Sequence, residues 1–393
     1  MRDSFYLAWQ YIRFNRWKSI TLVACVMIIA FLPLALELLL DESEKQLVDR
    51  ATSTPLVVGA RGSALDLVMN ALYFGEQVPR RMTMAAADAI EATDLALPIP
   101  MYVRFRARGA PIVGTTLDYF DFRGLRIAEG RNLAMLGECV LGAAVAEQLE
   151  LQPGDDIVSS PENLFDLAGV YPLKMTVVGV LERAHSSDDL AIFVDIKTTW
   201  IIQGLGHGHQ DLQTVTDPQS ILGRSDTSIT ASAKLFHYTE ITPDNVNSFH
   251  FHGGLAEYPV TAVLVEPHDE KSGTILQGRY IGEEATEQII RPREVVDELL
   301  ANIFRIKNLL DMVILLVGLA TLLAITLVFA LSIRLRSREM DTVFRLGCRR
   351  ATMVRLVGAE IVTIVAAGAL AGLLAMLILQ QFASELVRSL IIR

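Results

Sequence analysis

The chain has 393 residues, of which 51% are hydrophobic, and a formal net charge of −10 at pH 7. That length has room for two or three domains. The acidic balance, once mapped along the chain, argues against nucleic acid as a partner.

Residues 3–17, DSFYLAWQYIRFNRW, set Phe5, Tyr6, Trp9, Ile12 and Phe14 among basic residues at helical spacing. The pattern predicts an amphipathic helix over 1–18 on the inner membrane surface, with its aromatics at headgroup level. Three apolar runs follow, at 19–40, 309–331 and 354–379. Each has about the 20 residues needed to cross roughly 30 Å of hydrocarbon. The first run leads straight into ELLLDESEKQ without a small-x-small cleavage site, so it reads as an uncleaved anchor.

Charge sets the orientation. Arg2, Arg13, Arg16 and Lys18 precede the first span, and six arginines lie in SIRLRSREMDTVFRLGCRR between the second and third. Positive residues stay inside, so both segments are expected in the cytoplasm. Residues 41–305 carry 21 Lys+Arg against 38 Asp+Glu, a net −17, while the rest of the chain is +7. The acidic segment is therefore expected outside. Cys25, Cys139 and Cys348 then fall in the first span, outside and inside respectively, which predicts no intrachain disulfide and excludes a zinc–cysteine site.

The outer segment reads as mixed α/β. ECVLGAAVAEQLELQPGDDI, residues 138–157, predicts a short strand, a helix with small residues on one side and a Pro-Gly-Asp turn. Residues 175–181, 191–196 and 258–267 read as strands, and the Gly- and His-rich stretch 203–227 as loop. GARGS at 59–63 lacks the lysine of a phosphate-binding loop and reads as a turn. From Pro292 a stalk helix over 292–308, with Val295, Val296, Leu299, Leu300 and Ile303 in phase, is expected to continue into the second span. The fold class is thus a membrane protein with an α-helical transmembrane part of three visible spans and a large mixed α/β extracytoplasmic domain inserted between spans 1 and 2.

No motif makes a case for an enzyme: G-x-S-x-G and HExxH are both missing from the sequence. Histidine is the exception worth following. His207 and His209 lie in GHGHQD, and His250 and His252 in FHFHG. In a strand, side chains two apart share a face, so each pair could offer two imidazoles to zinc or copper. The competing reading is a solvated loop for the first pair and a hydrogen-bonded strand end for the second. In the third span Gly368 and Gly372 form a small-xxx-small motif, which predicts close helix packing within the subunit or across a dimer. Glu360, near the start of that span, is expected to snorkel or to find a partner in the basic loop rather than to move ions.

The arginine-rich loop, 332–353, holds more than an orientation signal. Met340, Val343 and Phe344 fall on one helical face. A loop needed only for topology has no use for that face, whereas a short helix docking into a groove of a soluble partner does.

Three stretches together resemble the MacB/FtsX-like class of ABC transporter permeases. They are AWQYIRFNRWKSITLV; FRGLRIAEGR followed by ECVLGAAVAEQLELQPGDDI and MTVVGVLERAHSSDDLAIFVDI; and RLRSREMDTVFRLGCRRATMVRLVGAEIV. The resemblance implies a permease that pairs with a second permease subunit above a cytoplasmic ABC ATPase dimer. That partner would hold ATP and Mg, and this chain would bind no cofactor itself. It implies an ATPase-coupling role for Arg336, Arg338, Glu339, Met340, Phe344, Arg345 and Gly347, and an extracytoplasmic domain that handles a substrate or a substrate-handling protein at the outer face of the inner membrane. The family pattern has a fourth span, whereas here only about 14 residues, 380–393, follow the third, too few for another crossing. Two other readings stay open from the residues: a zinc- or copper-trafficking ABC subunit, and a membrane signalling or scaffold protein.

Overall fold

The computed structural model describes residues 2–161, 172–208, 221–225, 228–231, 239–282, 286–335, 342 and 350–391. The chain divides into two compact units, one of residues 1–45 with 299–387 and one of 46–298 with 388–393. The divisions at 45/46 and 298/299 fall inside two helices, Arg16–Thr52 and Pro292–Leu335.

The first unit is helical. An amphipathic helix, Arg2–Phe14, comes first, and three long helices carry the apolar runs: Arg16–Thr52, Pro292–Leu335 and Arg350–Ile391. All three are long and apolar enough to cross a membrane, and most of their large side chains face outward, as suits helices whose solvent is hydrocarbon. The helix expected from Pro292 does run unbroken through the second apolar run.

Inside this unit Leu22, Phe329 and Ile364 form a small core with Ile12, Val23, Ile325 and Ile361 against it. Gly368, on the Arg350–Ile391 helix, packs against the first long helix, where a Cβ would meet Val26 Cβ at 2.7 Å and the Val23 carbonyl oxygen at 3.1 Å. At Gly372 the nearest atom to an added Cβ is the Met27 oxygen, at 3.7 Å. A glycine at 368 therefore lets two helix backbones approach where any side chain would push them apart. Glu360 is buried and has Lys18 as a partner, Nζ to Oε1 at 3.5 Å. That cation comes from the segment before the first apolar run. Lys18 also sits over the rings of Tyr11 and Phe329, at 5.6 and 5.7 Å.

The second unit is built on a mixed sheet, eleven-stranded among the described residues. Across it run, in order, Thr239–Glu240, Leu173–Leu181, Glu138–Leu141, Ile192–Asp195, Ala110–Thr115, Ala96–Ala107, Ala262–Pro267, Leu56–Ala60 and Glu287–Ile290. Ile127–Gly130 and Asp156–Val158 pair off that path with Leu173–Leu181. Leu173–Leu181 alternates buried and half-buried residues, the period-2 pattern of a strand with one face on the core. Glu138–Leu141 is buried throughout and lies between two strands of the sheet.

The stretch 138–157 gives the expected strand, a helix at Ala143–Leu149 and the turn, whose Gln152 N–H donates to Asp155 Oδ2 at 2.8 Å. The predicted strand 258–267 is split at Thr261 into Pro259–Val260 and Ala262–Pro267, which pair with different strands. The stretch 203–227, read as loop, contains strands at Gly206–Gly208 and Ile221–Ser225. Cross-strand pairing there overrides glycine's weak preference for strands. GARGS closes one strand and opens a helix: Ser63 Oγ accepts from Asp66 N–H at 3.1 Å as the cap of Ala64–Tyr73.

Candidate functional site

The best-defined polar constellation lies within the α/β unit, where the last turns of the Arg16–Thr52 helix meet a short 3-10 turn, Ser187–Leu190. Arg50 is 7% exposed and Asp188 2%. The guanidinium grips the carboxylate with both ends, Nη1 to Oδ2 at 2.6 Å and Nη2 to Oδ1 at 2.9 Å. Nη2 also donates to Tyr119 Oη at 2.9 Å, Tyr119 donates to Asp188 Oδ1 at 2.7 Å, and Nε donates to the Leu72 carbonyl. Ser186 Oγ adds a donor to Asp188 Oδ2 at 2.8 Å. One turn earlier on the same helix, the Leu47 carbonyl accepts from Tyr73 Oη at 2.5 Å. A buried pair with this many partners satisfies the groups that burial strips of water.

Local sequence explains how Asp188 gets there. Ser186 Oγ accepts from Asp188 N–H at 3.2 Å and starts the turn. Asp189, also buried, accepts from Ala184 N–H at 2.8 Å. The turn rests on Gly142, where a Cβ would come within 2.2 Å of the Asp188 carbonyl oxygen. This is what the small residues at the start of the Ala143–Leu149 helix are for: they let the 3-10 turn come close.

The electrostatics follow from burial and pairing. Burial alone pushes the Asp188 carboxyl up, but Arg50, Arg123 and the Tyr119 hydroxyl outweigh it and hold it well below the usual carboxylate range. Burial, with Asp188 next to it, pushes the Tyr119 phenol up, so it stays a donor. Arg123 lies close by, its Nη1 donating to Ser53 Oγ at 3.1 Å and its Nη2 to Thr54 Oγ1 at 2.8 Å. The arrangement ties the last turns of the Arg16–Thr52 helix to the Ser187–Leu190 turn.

A second ion pair explains part of the FRGLRIAEGR…ECVL pattern. Arg131 grips Glu138, with Nη1 to Oε2 at 2.8 Å and Nη2 on Oε1. The same carboxylate accepts from Ala134 and Met135 N–H at 2.9 and 3.0 Å. The cost of burial is exceeded by these donors, so Glu138 is held below its ordinary range.

Arg336, Arg338, Glu339, Met340, Phe344, Arg345 and Gly347 lie outside the described residues, as does His209. Gly368 and Gly372, on the Arg350–Ile391 helix, face the first long helix, as given above. His207 and His250 are directly paired in register between Gly206–Gly208 and Phe249–Phe251. The His250 and His252 rings meet edge to face with centroids 4.8 Å apart, and His250 Nδ1 is 3.1 Å from the Ser248 carbonyl. Among the described residues no group of three or more His, Cys, Asp or Glu is arranged to hold a metal. Cys25 and Cys139 are free thiols, and burial pushes Cys139 far up.

Sequence reasoning missed Arg50, Asp188, Tyr119 and Arg123. Arg50 sits in a charged flank after a span, and Asp188 in a polar stretch 138 residues later. No local signal joins them. A single strong hint was available: an arginine in the last turn of a helix running into a β-rich segment.

Residues 20–234 match the MacB-like periplasmic core domain family. Comparison with curated protein sequences gave no match. Among solved structures, the chain resembles the periplasmic region of MacB from Actinobacillus actinomycetemcomitans, with 12% identity and a TM-score of 0.36 over 64% of this chain and 97% of that one. It also resembles the extracellular domain of the noncanonic ABC-type transporter YknZ from Gram-positive bacteria, with 12% identity and a TM-score of 0.33 over 60% of this chain and 98% of that one. Superpositions this loose leave the assignment to the family match. That match takes in more than half of the residues and includes both the first apolar helix and the Arg50–Asp188 joint's surroundings, so the chain belongs to the MacB-like periplasmic core domain family and is a MacB/FtsX-like ABC transporter permease.

Proposed function

We propose that this chain is the permease subunit through which a separate cytoplasmic ABC ATPase dimer moves an extracytoplasmic domain, which handles a substrate at the outer face of the inner membrane. The observation that carries the reading is the helix Arg16–Thr52. It holds a membrane-length apolar run and ends, without a break, in residues clamped inside the α/β unit by Arg50 and Asp188. An unbroken helix transmits axial displacement that a flexible linker would absorb. Pro292–Leu335 has the same construction from the other side.

On this reading the N-terminus and the 332–353 loop face the cytoplasm, a second permease subunit completes the assembly, and ATP and Mg belong to the ATPase. The substrate is exported, or is a peptide or lipoprotein released at the outer face. Glu339, Met340, Phe344 and Gly347 contact the ATPase, and Arg336, Arg338 and Arg345 flank the contact. The test is co-purification of the full chain with its cognate ATPase. Wild type is expected to retain the ATPase, and a Glu339→Ala/Phe344→Ala variant to lose it while inserting normally. If wild type and its ATPase do not associate, the reading is wrong.

One observation favours a second reading, metal trafficking. His207 sits opposite His250, whose ring touches that of His252. Phe249 and Phe251 pack against the core, so the intervening His250 lies on the ribbon's other face. Zinc titration of the full chain decides it: saturable micromolar binding lost in His250→Ala supports trafficking, and no binding removes it.

A further inference from the structure

An open groove of about 390 Å³ lies within the helical unit, where the Arg2–Phe14 helix gives way to Arg16–Thr52. Trp9 and Ile12 line it from the first helix, and Ile20, Val23, Ala24 and Met27 from the second. Arg13 and Arg16 belong to the same wall, on either side of Asn15. The Asn15 N–H donates to the Tyr11 carbonyl at 2.9 Å, and the Ser19 N–H to the Asn15 carbonyl at 3.1 Å. Helical spacing therefore carries across the junction, and residues three apart stay neighbours on the surface.

Lys18 and these two arginines differ in their partners. Lys18 turns to Glu360, Nζ to Oε1 at 3.5 Å, and lies over the Tyr11 and Phe329 rings. Arg13 and Arg16 are exposed; among the described residues they make no ion pair, and no acidic side chain lines the groove beside them. Arg16 lies over the Trp17 ring, its Cζ 6.0 Å from the centroid. From Arg16 the apolar wall runs to Met27, about 16 Å along the helix. Half of a hydrocarbon core roughly 30 Å thick has about the same depth. A guanidinium takes a phosphate through paired hydrogen bonds. A headgroup that brings its own cation, such as choline, finds no carboxylate in this wall to receive it, so the site discriminates against zwitterionic lipids.

We propose that this groove is a binding site for one anionic phospholipid, its phosphate held between Arg13 and Arg16 and an acyl chain laid along Ile20, Val23, Ala24 and Met27. General attraction of basic residues to an anionic surface needs no groove and falls off within a Debye length. The site needs both the arginines and the concave apolar wall. It rests on the helical unit alone and involves neither the ATPase nor a transported substrate, so it stands or falls apart from the function proposed above.

Trp9, in the groove wall, reports occupancy. The full chain is reconstituted in phosphatidylcholine vesicles carrying a minor fraction of phosphatidylglycerol or of phosphatidylcholine with brominated acyl chains, which quench a neighbouring indole. Tryptophan emission is followed against that fraction, and Trp9→Phe identifies the part that belongs to Trp9. Brominated phosphatidylglycerol is expected to half-quench Trp9 at about 25-fold lower fraction than brominated phosphatidylcholine, each arginine supplying about fivefold. Arg13→Gln and Arg16→Gln, at exposed positions that leave the Lys18–Glu360 pair in place, should each lose about fivefold, and the double variant the whole preference. Ala24→Phe fills the groove, keeps both charges, and should also lose most of the preference. Equal quenching of wild type by the two lipids overturns the proposal, as does a preference unchanged in the double arginine variant. A preference that survives in Ala24→Phe overturns it by leaving only attraction to the surface. A Trp9 that neither brominated lipid quenches overturns it too, since a second copy of the chain or another protein then covers the groove.

Discussion

Arg50 and Asp188 meet through two hydrogen bonds of 2.6 and 2.9 Å, 138 residues apart in the chain and both almost wholly buried. The arginine belongs to the helix that carries the first apolar run, and the aspartate to a four-residue turn of the α/β unit. Removing one partner leaves a charge in a site that excludes water, and such losses are about 3–5 kcal/mol. Asp188→Asn and Arg50→Met should therefore each lower the unfolding temperature of the detergent-solubilised chain by many degrees. The double variant Arg50→Met/Asp188→Leu should lose less than the two single losses combined. Simple additivity would show that the pair does not act as a unit.

Acid should loosen the same region. Asp188 and Glu138 both have carboxyls held below their ordinary range. A carboxylate lowered in the folded state contributes stability that is fully present above its unfolded pKa, about 4, and lost as pH falls through the folded value. Unfolding temperature should be level in these two groups' contribution from pH 7 to about 5, then fall below about 4. Glu138→Gln should flatten part of that fall, measured as the slope of stability against pH.

Gly368 leaves no room for a side chain. A Cβ there would lie 2.7 Å from Val26 Cβ, whereas at Gly372 its nearest neighbour is 3.7 Å away. Gly368→Val is expected to destabilise the helix pair by about 1–3 kcal/mol, the range for overpacking. Gly372→Ala should be close to neutral. Val26→Ala should recover part of the loss in Gly368→Ala, and thermal unfolding in detergent separates the three cases.

Lys18 and Glu360 bring a charge pair, 3.5 Å apart, into the helical unit. Glu360 is buried and Lys18 partly exposed, so removing the lysine should cost more than neutralising the acid. Lys18→Met is expected to reduce the amount of folded chain extracted from membranes, with Glu360→Gln closer to wild type. The reverse order would show that Lys18 is not a principal partner of Glu360.

Much of the architecture could be read from composition and period. The three apolar runs are long enough that only membrane helices satisfy their backbones, and the strand at 173–181 declares itself by alternation. The motif from FRGLR to the aspartates near 188 was legible as a pattern, but its purpose was not. Glu138 looked like the polar start of a strand until Arg131 and two backbone N–H groups were found around it. The stretch 203–227 read as loop because its glycines carry no strand preference of their own. The pairing of Gly206–Gly208 with Phe249–Phe251 supplied the missing energy from outside the segment.

Hydropathy and charge asymmetry are sums over neighbouring residues, so the sequence by itself determined the spans, the expected sidedness and the family pattern. The Arg50 joint and the Arg123 guanidinium beside it are different in kind. They depend on which residues a long chain brings together, and on what water is then excluded. An arginine in DESEKQLVDRATST has the same local surroundings whether it is solvated or buried. Only the tertiary structure decides that Arg50 grips the Asp188 carboxylate and that Arg123 is held beside the same pair, because the strength of a charge's interactions is set by the dielectric and partners of the place where the fold puts it.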